Sequence, residues 1–222
     1  MSETPRTSRF ITFEGVEGSG KTTQIQMLSN HLEERGIDHL LTREPGGTPI
    51  GDQIRRLVLD PRNADMTPIC ELLLYAAARA QHIEQVIRPA LLSGRLVLCD
   101  RFKDATMAYQ GSGRGIRLDL IDALHGLENL AIQPDLTILF DLEEDTALKR
   151  ARVRDHTRTN DETRFERESL EFHKRVRSGY LDMARQEPGR FVVVDAHGTV
   201  EEVHHRVIES MDRFLTTRGA PE

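Results

Sequence analysis

The chain has 222 residues, a length that allows one domain with an elaboration or two small domains. Its net charge of -6 at pH 7 argues against a nucleic-acid partner, and no apolar run is long enough to span a membrane. Residues 1–8 lack the apolar core of a signal peptide. We interpret Cys70 and Cys99, which lie in apolar segments, as buried free thiols, and this favours a reducing cytoplasm.

The strongest local pattern is a phosphate-binding loop, G-x-x-x-x-G-K-[ST], at residues 15–22. An alternating apolar run precedes it and predicts a strand, and residues 24–32 have apolar side chains at helical spacing. The glycines let backbone N–H groups approach phosphate oxygens. Lys21 supplies a charge for the β and γ phosphates, and the Thr22 hydroxyl suits Mg²⁺. The alternative is a glycine-rich turn that matches by chance.

The remaining elements alternate along the chain between strands and helices. The predicted strands cover residues 9–14, 38–42, 96–99, 136–142 and 190–195. The predicted helices cover residues 24–32, 49–59, 68–93, the first half of 102–115, 118–130, a helix from about 145, 166–184 and 200–215. This order predicts an α/β fold: a doubly wound, five-stranded parallel sheet with helices on both faces. We expect one domain over residues 1–222, with frayed tails at 1–8 and 217–222.

Three candidate binding residues precede the third predicted strand. Arg43 ends the second predicted strand, where an open sheet places a ligand loop, so it is a candidate for a second phosphate. An ordinary turn with a solvated Arg is the alternative. Tyr75 and Arg79 share one face of a helix, as a stacking platform beside an anion-binding cation would. From the residues alone, a packed Tyr with an Arg that reaches solvent is favoured.

The predicted buried strand over 96–99 ends in Asp100 and Arg101, a carboxylate placed to hold the waters of Mg²⁺ and a cation that suits phosphate oxygens. An Asp that caps the next helix remains possible. Thr106, Tyr109 and Gln110 follow near one face of a short helix, before a flexible turn. They suit a planar base with polar edges, although an amphipathic connector would look similar.

The arginine-rich stretch at about 150–164 has almost no apolar periodicity. It is typical of a short lid whose cations close on phosphate and exclude water. The alternative is a solvated helix with ion pairs between turns, such as Arg164 with Glu168.

Together these segments resemble bacterial thymidylate kinases over about residues 9–215. The matching motifs cover residues 15–22, 42–48, 75–79, 100–102, 108–111, 114–115 and 134–137. The resemblance implies that the enzyme is a transferase that moves the γ-phosphoryl group of ATP to dTMP, giving ADP and dTDP for dTTP biosynthesis. It also implies Mg²⁺ as cofactor and a cytoplasmic homodimer.

The resemblance further implies a role for each matching residue. Glu17 would meet the 3′-hydroxyl, and Tyr109 would lie against the sugar, where it would crowd a 2′-hydroxyl. The residues implied for ATP are Gly15, Val16, Glu17, Gly18, Ser19, Gly20, Lys21, Thr22 and Thr23. Those implied for dTMP are Glu17, Arg43, Tyr75, Arg79, Arg101, Thr106, Tyr109 and Gln110, with Arg43, Arg79 and Arg101 on its phosphate. Those implied for the metal are Thr22 and, through water, Asp100.

The implied catalytic residues are Lys21, Asp100, Arg101, Arg154 and Arg158. One branch of the family has an Arg inside the phosphate loop, but here Gly18 follows Glu17. The resemblance then implies a lid arginine in its place, and Arg154 and Arg158 are the candidates.

Three other functions compete with this interpretation. A kinase for another nucleotide or nucleoside would share the scaffold. A GTP-dependent switch would explain the D-x-x-G pattern at residues 195–198, but the sequence has no Asn-Lys-x-Asp motif. A non-catalytic nucleotide-binding subunit is disfavoured because Lys21, Thr22 and Asp100 are all present.

Overall fold

The computed structural model describes residues 9–127, 130–157 and 164–217, with the side chains of 151–157 and 217 left aside. Within these residues five parallel strands form one sheet in the order β2-β3-β1-β4-β5. The strands are β1 (Phe10–Gly15), β2 (His39–Arg43), β3 (Leu96–Asp100), β4 (Leu136–Asp141) and β5 (Phe191–Asp195). The predicted α/β fold with a five-stranded parallel sheet is therefore confirmed. The predicted tail at 1–8, and residues 218–222 of the other tail, lie outside the described residues.

The central strands are apolar on both faces because both faces are covered. Phe13 of β1 and Leu98 of β3 point into one apolar cluster, with Leu28 and Val176 from the helices. Val97 and Cys99, the alternate residues of β3, point into a second cluster on the opposite face. This alternation follows from the two-residue period of a strand, and helices are needed on both sides to complete the two clusters.

Helices connect the strands and cover both faces of the sheet. They are α1 (Lys21–Glu34), α2 (Pro49–Leu59), α3 (Pro68–His82), α4 (Arg88–Leu92), α5 (Lys103–Thr106), α6 (Leu118–His125), α7 (Glu144–Thr157), α8 (Leu170–Gln186) and α9 (Val200–Thr217). Ser169 caps α8 by accepting from the Phe172 amide, so that helix begins later than the predicted residue 166. No helix among the described residues combines the length and apolarity of a membrane span.

Two π-helical segments alter the predicted pattern. The helix predicted over 68–93 is α3 joined to α4 through a π turn at Ile83–Ile87. The flexible turn predicted after α5 is wrong, because Met107–Gly113 forms a π-helix. A Cβ on Gly113 would lie 2.6 Å from the Phe172 ring, so this segment is packed tightly against α8. A packed segment holds Tyr109 and Gln110 in fixed positions.

Some predictions of burial are also wrong. Cys70 is exposed, whereas Cys99 is buried as predicted. Four large apolar residues of α2 and α3 are at least 45% exposed, namely Ile50, Leu57, Ile69 and Leu73. The two helices have apolar residues on more than one side, so periodicity alone did not separate the face on the core from the face on the surface.

Candidate active site

The carboxyl ends of three neighbouring strands meet at one edge of the sheet. Arg43 of β2 and Phe13 of β1 are both in register with Asp100 of β3. The ends of the three strands border a cleft of about 1170 Å³. The predicted site residues that line it are Glu17, Gly18, Gly20, Lys21, Thr22, Thr23, Arg43, Tyr75, Arg79, Asp100, Arg101, Thr106, Tyr109 and Gln110. Gly15, Val16 and Ser19 complete the loop but do not line the cleft.

The phosphate loop turns sharply between β1 and α1. Gly15 has φ +141, and a Cβ there would lie 2.6 Å from the carbonyl oxygen of Phe140, so no larger residue fits. Gly20, with φ +88, precedes α1, and no side chain caps the first turn of that helix. The N–H groups of this turn therefore remain available to an anion, as at other helix N-termini that bind phosphate.

The Lys21 ammonium lies against its own loop. Nζ donates to the carbonyl oxygens of Gly15 at 3.0 Å and Val16 at 2.8 Å, and to Ser19 Oγ at 3.2 Å. Burial lowers the pKa of Lys21 to about 8, and the nearby charge of Arg101 acts in the same direction. A bound polyphosphate would stabilise the charged form of this group.

Thr22 and Asp100 form a pair of oxygen donors beside the loop. The Thr22 hydroxyl donates to Asp100 Oδ2 at 3.2 Å, and Oδ1 is buried with no hydrogen-bond partner among the described residues. A hydroxyl and a carboxylate oxygen without a partner suit Mg²⁺, which prefers oxygen ligands and keeps several waters. The residues present therefore fit the predicted metal.

Arg101 occupies the left-handed region of the backbone, with φ 68, which is strained for a residue with a side chain. This turn directs its guanidinium back over the phosphate loop. One nitrogen donates to the Gly15 carbonyl at 3.0 Å, and the other donates to Glu17 and to the Tyr109 hydroxyl, both at 3.2 Å. Arg101 thus lies between the predicted ATP and dTMP sites.

A buried carboxyl group that was not predicted from the sequence supports this turn. Glu14 Oε1 accepts from the Phe102 amide and Oε2 accepts from the Tyr180 hydroxyl, both at 2.7 Å. Burial raises the pKa of Glu14 to about 8, and the negative charge of Asp104 adds to the rise. In the sequence, a Glu at the end of an apolar strand was the signal that could have indicated this buried carboxyl group.

The arginines of the acceptor side differ in how they are held. The Arg43 side chain is half exposed and pairs with Asp52 at 3.1 Å. Arg79 is only 2% exposed, with Nε donating to Glu44 at 2.7 Å, so the favoured alternative of an Arg that reaches solvent is wrong. A terminal nitrogen of Arg79 also contacts His125 Nε2 at 2.9 Å, and the guanidinium lies over the Phe102 ring.

Arg55, on α2, also lines the cleft and was not predicted. It donates to the carbonyl oxygen of Pro45 at 3.0 Å, and burial together with the charge of Arg43 lowers its pKa. The sequence did not distinguish Arg55 from the other arginines, because the chain is rich in arginine.

Aromatic and polar side chains line another part of the cleft. The ring of Phe165 lies 6.4 Å from that of Tyr75 and 5.5 Å from that of Tyr109, edge to face. The Thr106 hydroxyl is buried with no hydrogen-bond partner among the described residues. Gln110 donates from Nε2 to Glu71 at 2.7 Å. Phe165 and Glu71 were not predicted.

The predicted lid is only partly described. The first part belongs to α7, which continues to Thr157. Arg158 and the Arg154 side chain lie outside what is described, so their roles stay predictions. The alternative pairing of Arg164 with Glu168 is wrong for this structure: Arg164 contacts Glu71, and Glu168 pairs with Arg114 at 2.6 Å.

Comparison with known proteins decides the family. A family model described as "Thymidylate kinase" matches residues 13–207. The chain belongs to the thymidylate kinase family. A family member from Syntrophotalea carbinolica is 55% identical over 214 residues, which is 96% of each chain. One from Geotalea daltonii is 57% identical over 195 residues, covering 87% of this chain and 91% of the relative.

A crystal structure of thymidylate kinase from Ehrlichia chaffeensis has the same fold. Its TM-score is 0.73 at 35% identity, and the match covers 92% of this chain and 98% of that one. The predicted family and the predicted enzyme activity, phosphoryl transfer from ATP to dTMP, are confirmed. The D-x-x-G residues of the GTP-switch alternative begin at the last residue of β5 and do not line the cleft.

Proposed function

We propose that the cleft binds ATP and dTMP end to end and that its described residues have the roles predicted from the sequence. The observation that carries this assignment is the convergence of the phosphate loop, Arg43, Asp100–Arg101 and the Thr106–Gln110 face on one cavity. The loop around Lys21 would hold the ATP phosphates. Tyr75, Thr106 and Gln110 would contact the base of dTMP, and Glu17 and Tyr109 its sugar.

The main obstacle to the reaction is charge repulsion between two nucleotides. Two unit charges 4 Å apart interact by about 1 kcal/mol in water and about 4 kcal/mol near a protein surface. The acceptor phosphate is already a competent nucleophile, so positioning and charge neutralisation supply most of the catalysis. Lys21, Arg43 and Arg101 would provide the cations, together with Arg55 and the predicted contribution of Arg79.

Thr22 and, through water, Asp100 would hold Mg²⁺ at the ATP phosphates. When bound, the ion would neutralise charge on the β and γ phosphoryl groups. Among the described residues no group of three or more His, Cys, Asp and Glu side chains could hold a metal, which suits an ion that binds mostly through nucleotide and water.

The acceptor preference can be tested by turnover of each nucleoside monophosphate with Mg-ATP. We expect dTMP to give the highest kcat/KM, because Thr106 and Gln110 offer polar groups to the edge of a pyrimidine. A higher kcat/KM with dCMP or AMP would contradict the assignment of the base site.

We also propose a homodimer in which the exposed apolar side chains of α2 and α3 lie in the interface. Ile50, Leu57, Ile69 and Leu73 would otherwise leave a large apolar patch in water. Sedimentation should give twice the mass of one chain, and Leu73→Asp should shift the population toward monomer. A monomer at micromolar concentration in the unmodified protein would contradict this proposal.

We also propose a cytoplasmic location for the enzyme. The free thiols of Cys70 and Cys99 support a reducing compartment, where the product dTDP would enter dTTP biosynthesis.

Arg154 and Arg158 remain the candidates for the lid arginine. Replacing each with Ala should identify the acting residue, because its loss should lower kcat with little effect on the KM for dTMP.

A further inference from the structure

Glu71, on α3, is a fully buried carboxylate outside the phosphate-binding machinery. It is 0% exposed and lies two helical turns before Arg79. Three donors from other parts of the chain converge on it. They are Gln110 Nε2 at 2.7 Å, the Arg114 guanidinium at 3.3 Å and the Arg164 guanidinium at shorter range.

The two guanidinium groups make this carboxylate an acceptor at both oxygens. Arg114 donates to Oε1 from Nε and to Oε2 from its terminal nitrogen, and Arg164 donates to Oε2. A guanidinium has donors only, so each carboxylate oxygen must accept. The group of Gln110 that meets Glu71 must therefore be its NH₂.

This contact fixes which way the Gln110 amide faces. Gln110 is 1% exposed and lines the cleft, and its Oε1 has no hydrogen-bond partner among the described residues. A flipped amide would place Oε1 against Glu71, and two acceptors in a buried site repel each other. Gln110 is thus left with a free carbonyl oxygen and one remaining N–H for a ligand.

These two groups distinguish pyrimidines. Thymine has a donor at N3–H and an acceptor at O4, which complement the carbonyl and the N–H of a fixed amide. Cytosine has an acceptor at N3 and a donor at N4, so it requires the opposite amide orientation. An amide that is free to flip would accept either base.

We propose that Glu71 is a positioning residue that sets the selectivity for dTMP over dCMP by locking the Gln110 amide. This inference rests on the proposed contact between Gln110 and the base. It concerns a residue that does not line the cleft itself but contacts one that does.

The test compares kcat/KM for dTMP and dCMP in Glu71→Gln. The amide at position 71 can place its NH₂ at the Oε1 position, where it gives up the bond from Arg114 Nε and can donate to a flipped Gln110, while its carbonyl oxygen still accepts from Arg164. We expect the dTMP:dCMP ratio of kcat/KM to fall about 10- to 100-fold, largely through a gain with dCMP. Glu71→Asp keeps an acceptor-only group and should restore most of the ratio.

Glu168→Gln is the matched control, because Glu168 pairs with the same Arg114 at 2.6 Å but is not a contact of Gln110. Its ratio should stay within about twofold of the unmodified enzyme. A Glu71→Gln enzyme that loses activity with both nucleotides in parallel, at an unchanged ratio, would show a role in packing only and would overturn the proposal.

Gln110→Ala separates failure of this inference from failure of the site assignment. An unchanged ratio in Gln110→Ala means that Gln110 does not contact the base, whereas a changed ratio there with an unchanged ratio in Glu71→Gln overturns the role of Glu71 alone. Should Glu71→Gln not fold, a crystal structure of the unmodified enzyme with dTMP decides. Oε1 of Gln110 must then lie within hydrogen-bond distance of N3, and any other contact at N3 overturns the proposal.

Discussion

The Tyr180 hydroxyl donates a hydrogen bond to the buried carboxyl group of Glu14 at 2.7 Å. The same hydroxyl accepts from Arg101 at 3.3 Å, so it links Glu14 to the guanidinium that lies over the phosphate loop. Glu14 also accepts from the amide of Phe102, the residue after Arg101. Hydrogen bonds therefore stabilise the strained turn at Arg101 in two places, at the backbone amide of Phe102 and at the side chain of Arg101.

Removal of this hydroxyl should destabilise the fold and impair the site together. In Tyr180→Phe, Glu14 loses a buried donor, and we expect the free energy of unfolding to fall by about 1–3 kcal/mol. The kcat should also decrease, because Arg101 loses one of its supports. Denaturant unfolding and steady-state kinetics measure the two effects. Ser178→Ala, which removes an exposed hydroxyl from the same helix, is the control and should change stability by less than about 0.5 kcal/mol.

The raised pKa of Glu14 predicts a specific pH dependence of stability. Burial raises it from 4.5 to about 8, so the folded protein keeps a proton that the unfolded chain releases above pH 4.5. The contribution of this proton to the free energy of unfolding is fully present below about pH 4.5 and is lost as the pH rises through about 8.

Glu14→Gln removes this titration and should change the pH profile accordingly. Between pH 5 and 8 the stability of the variant relative to the unmodified protein should rise, with a slope of up to about 1.4 kcal/mol per pH unit. Urea unfolding at several pH values measures this difference. Glu33→Gln, at an exposed position of α1, should run parallel to the unmodified protein, and parallel curves for Glu14→Gln would show that Glu14 is ionised throughout.

Lys21 should be required for phosphoryl transfer. Lys21→Met removes the charge assigned to the β and γ phosphates, and we expect kcat to fall by about 100-fold or more. A coupled assay of ADP formation measures the rate, with circular dichroism as the check on folding. Lys174→Met removes an exposed lysine that pairs with Glu171 on the neighbouring turn, and it should retain full activity. A Lys21→Met enzyme within about threefold of normal kcat would refute the role.

Asp100 should control the response to Mg²⁺. In Asp100→Asn the carboxylate charge is lost while the shape is kept, so the Mg²⁺ concentration for half-maximal rate should increase by about tenfold and kcat should decrease. Rates measured across a Mg²⁺ titration at saturating ATP give both values. Asp182→Asn, on the exposed side of α8, is the control. An unchanged Mg²⁺ response in Asp100→Asn would assign Asp100 a capping role instead.

The fold was predictable because the signals were local. Alternating apolar strands separated by helical periods specify a parallel sheet, and the phosphate loop has a spacing that few other structures need. The sequence also located Arg43 and Asp100, because strands in a parallel sheet end at the same edge. The packed π-helix at Met107–Gly113 was missed because its glycines indicate a turn until Phe172 is known to lie against them.

Residues that act through tertiary contacts could not be predicted in the same way. Glu71 contacts Gln110, Arg114 and Arg164, which are 39 to 93 positions away along the chain. A carboxylate inside an apolar helix was the only signal in the sequence, and that signal does not name its partners. Similarly, Arg79 is buried because Glu44 and His125 satisfy it, and neither contact follows from helical spacing.

End-to-end binding of the two nucleotides is tested most directly by a crystal structure with a bisubstrate analogue, adenosine and thymidine joined 5′ to 5′ by a chain of phosphates. We expect the phosphates in the loop at Lys21 and between Arg43 and Arg101, with thymine beside Tyr75 and Gln110. An analogue whose thymidine half lies outside this cleft, with Arg43 and Arg101 in contact with no phosphate, would rule out end-to-end binding in the cleft.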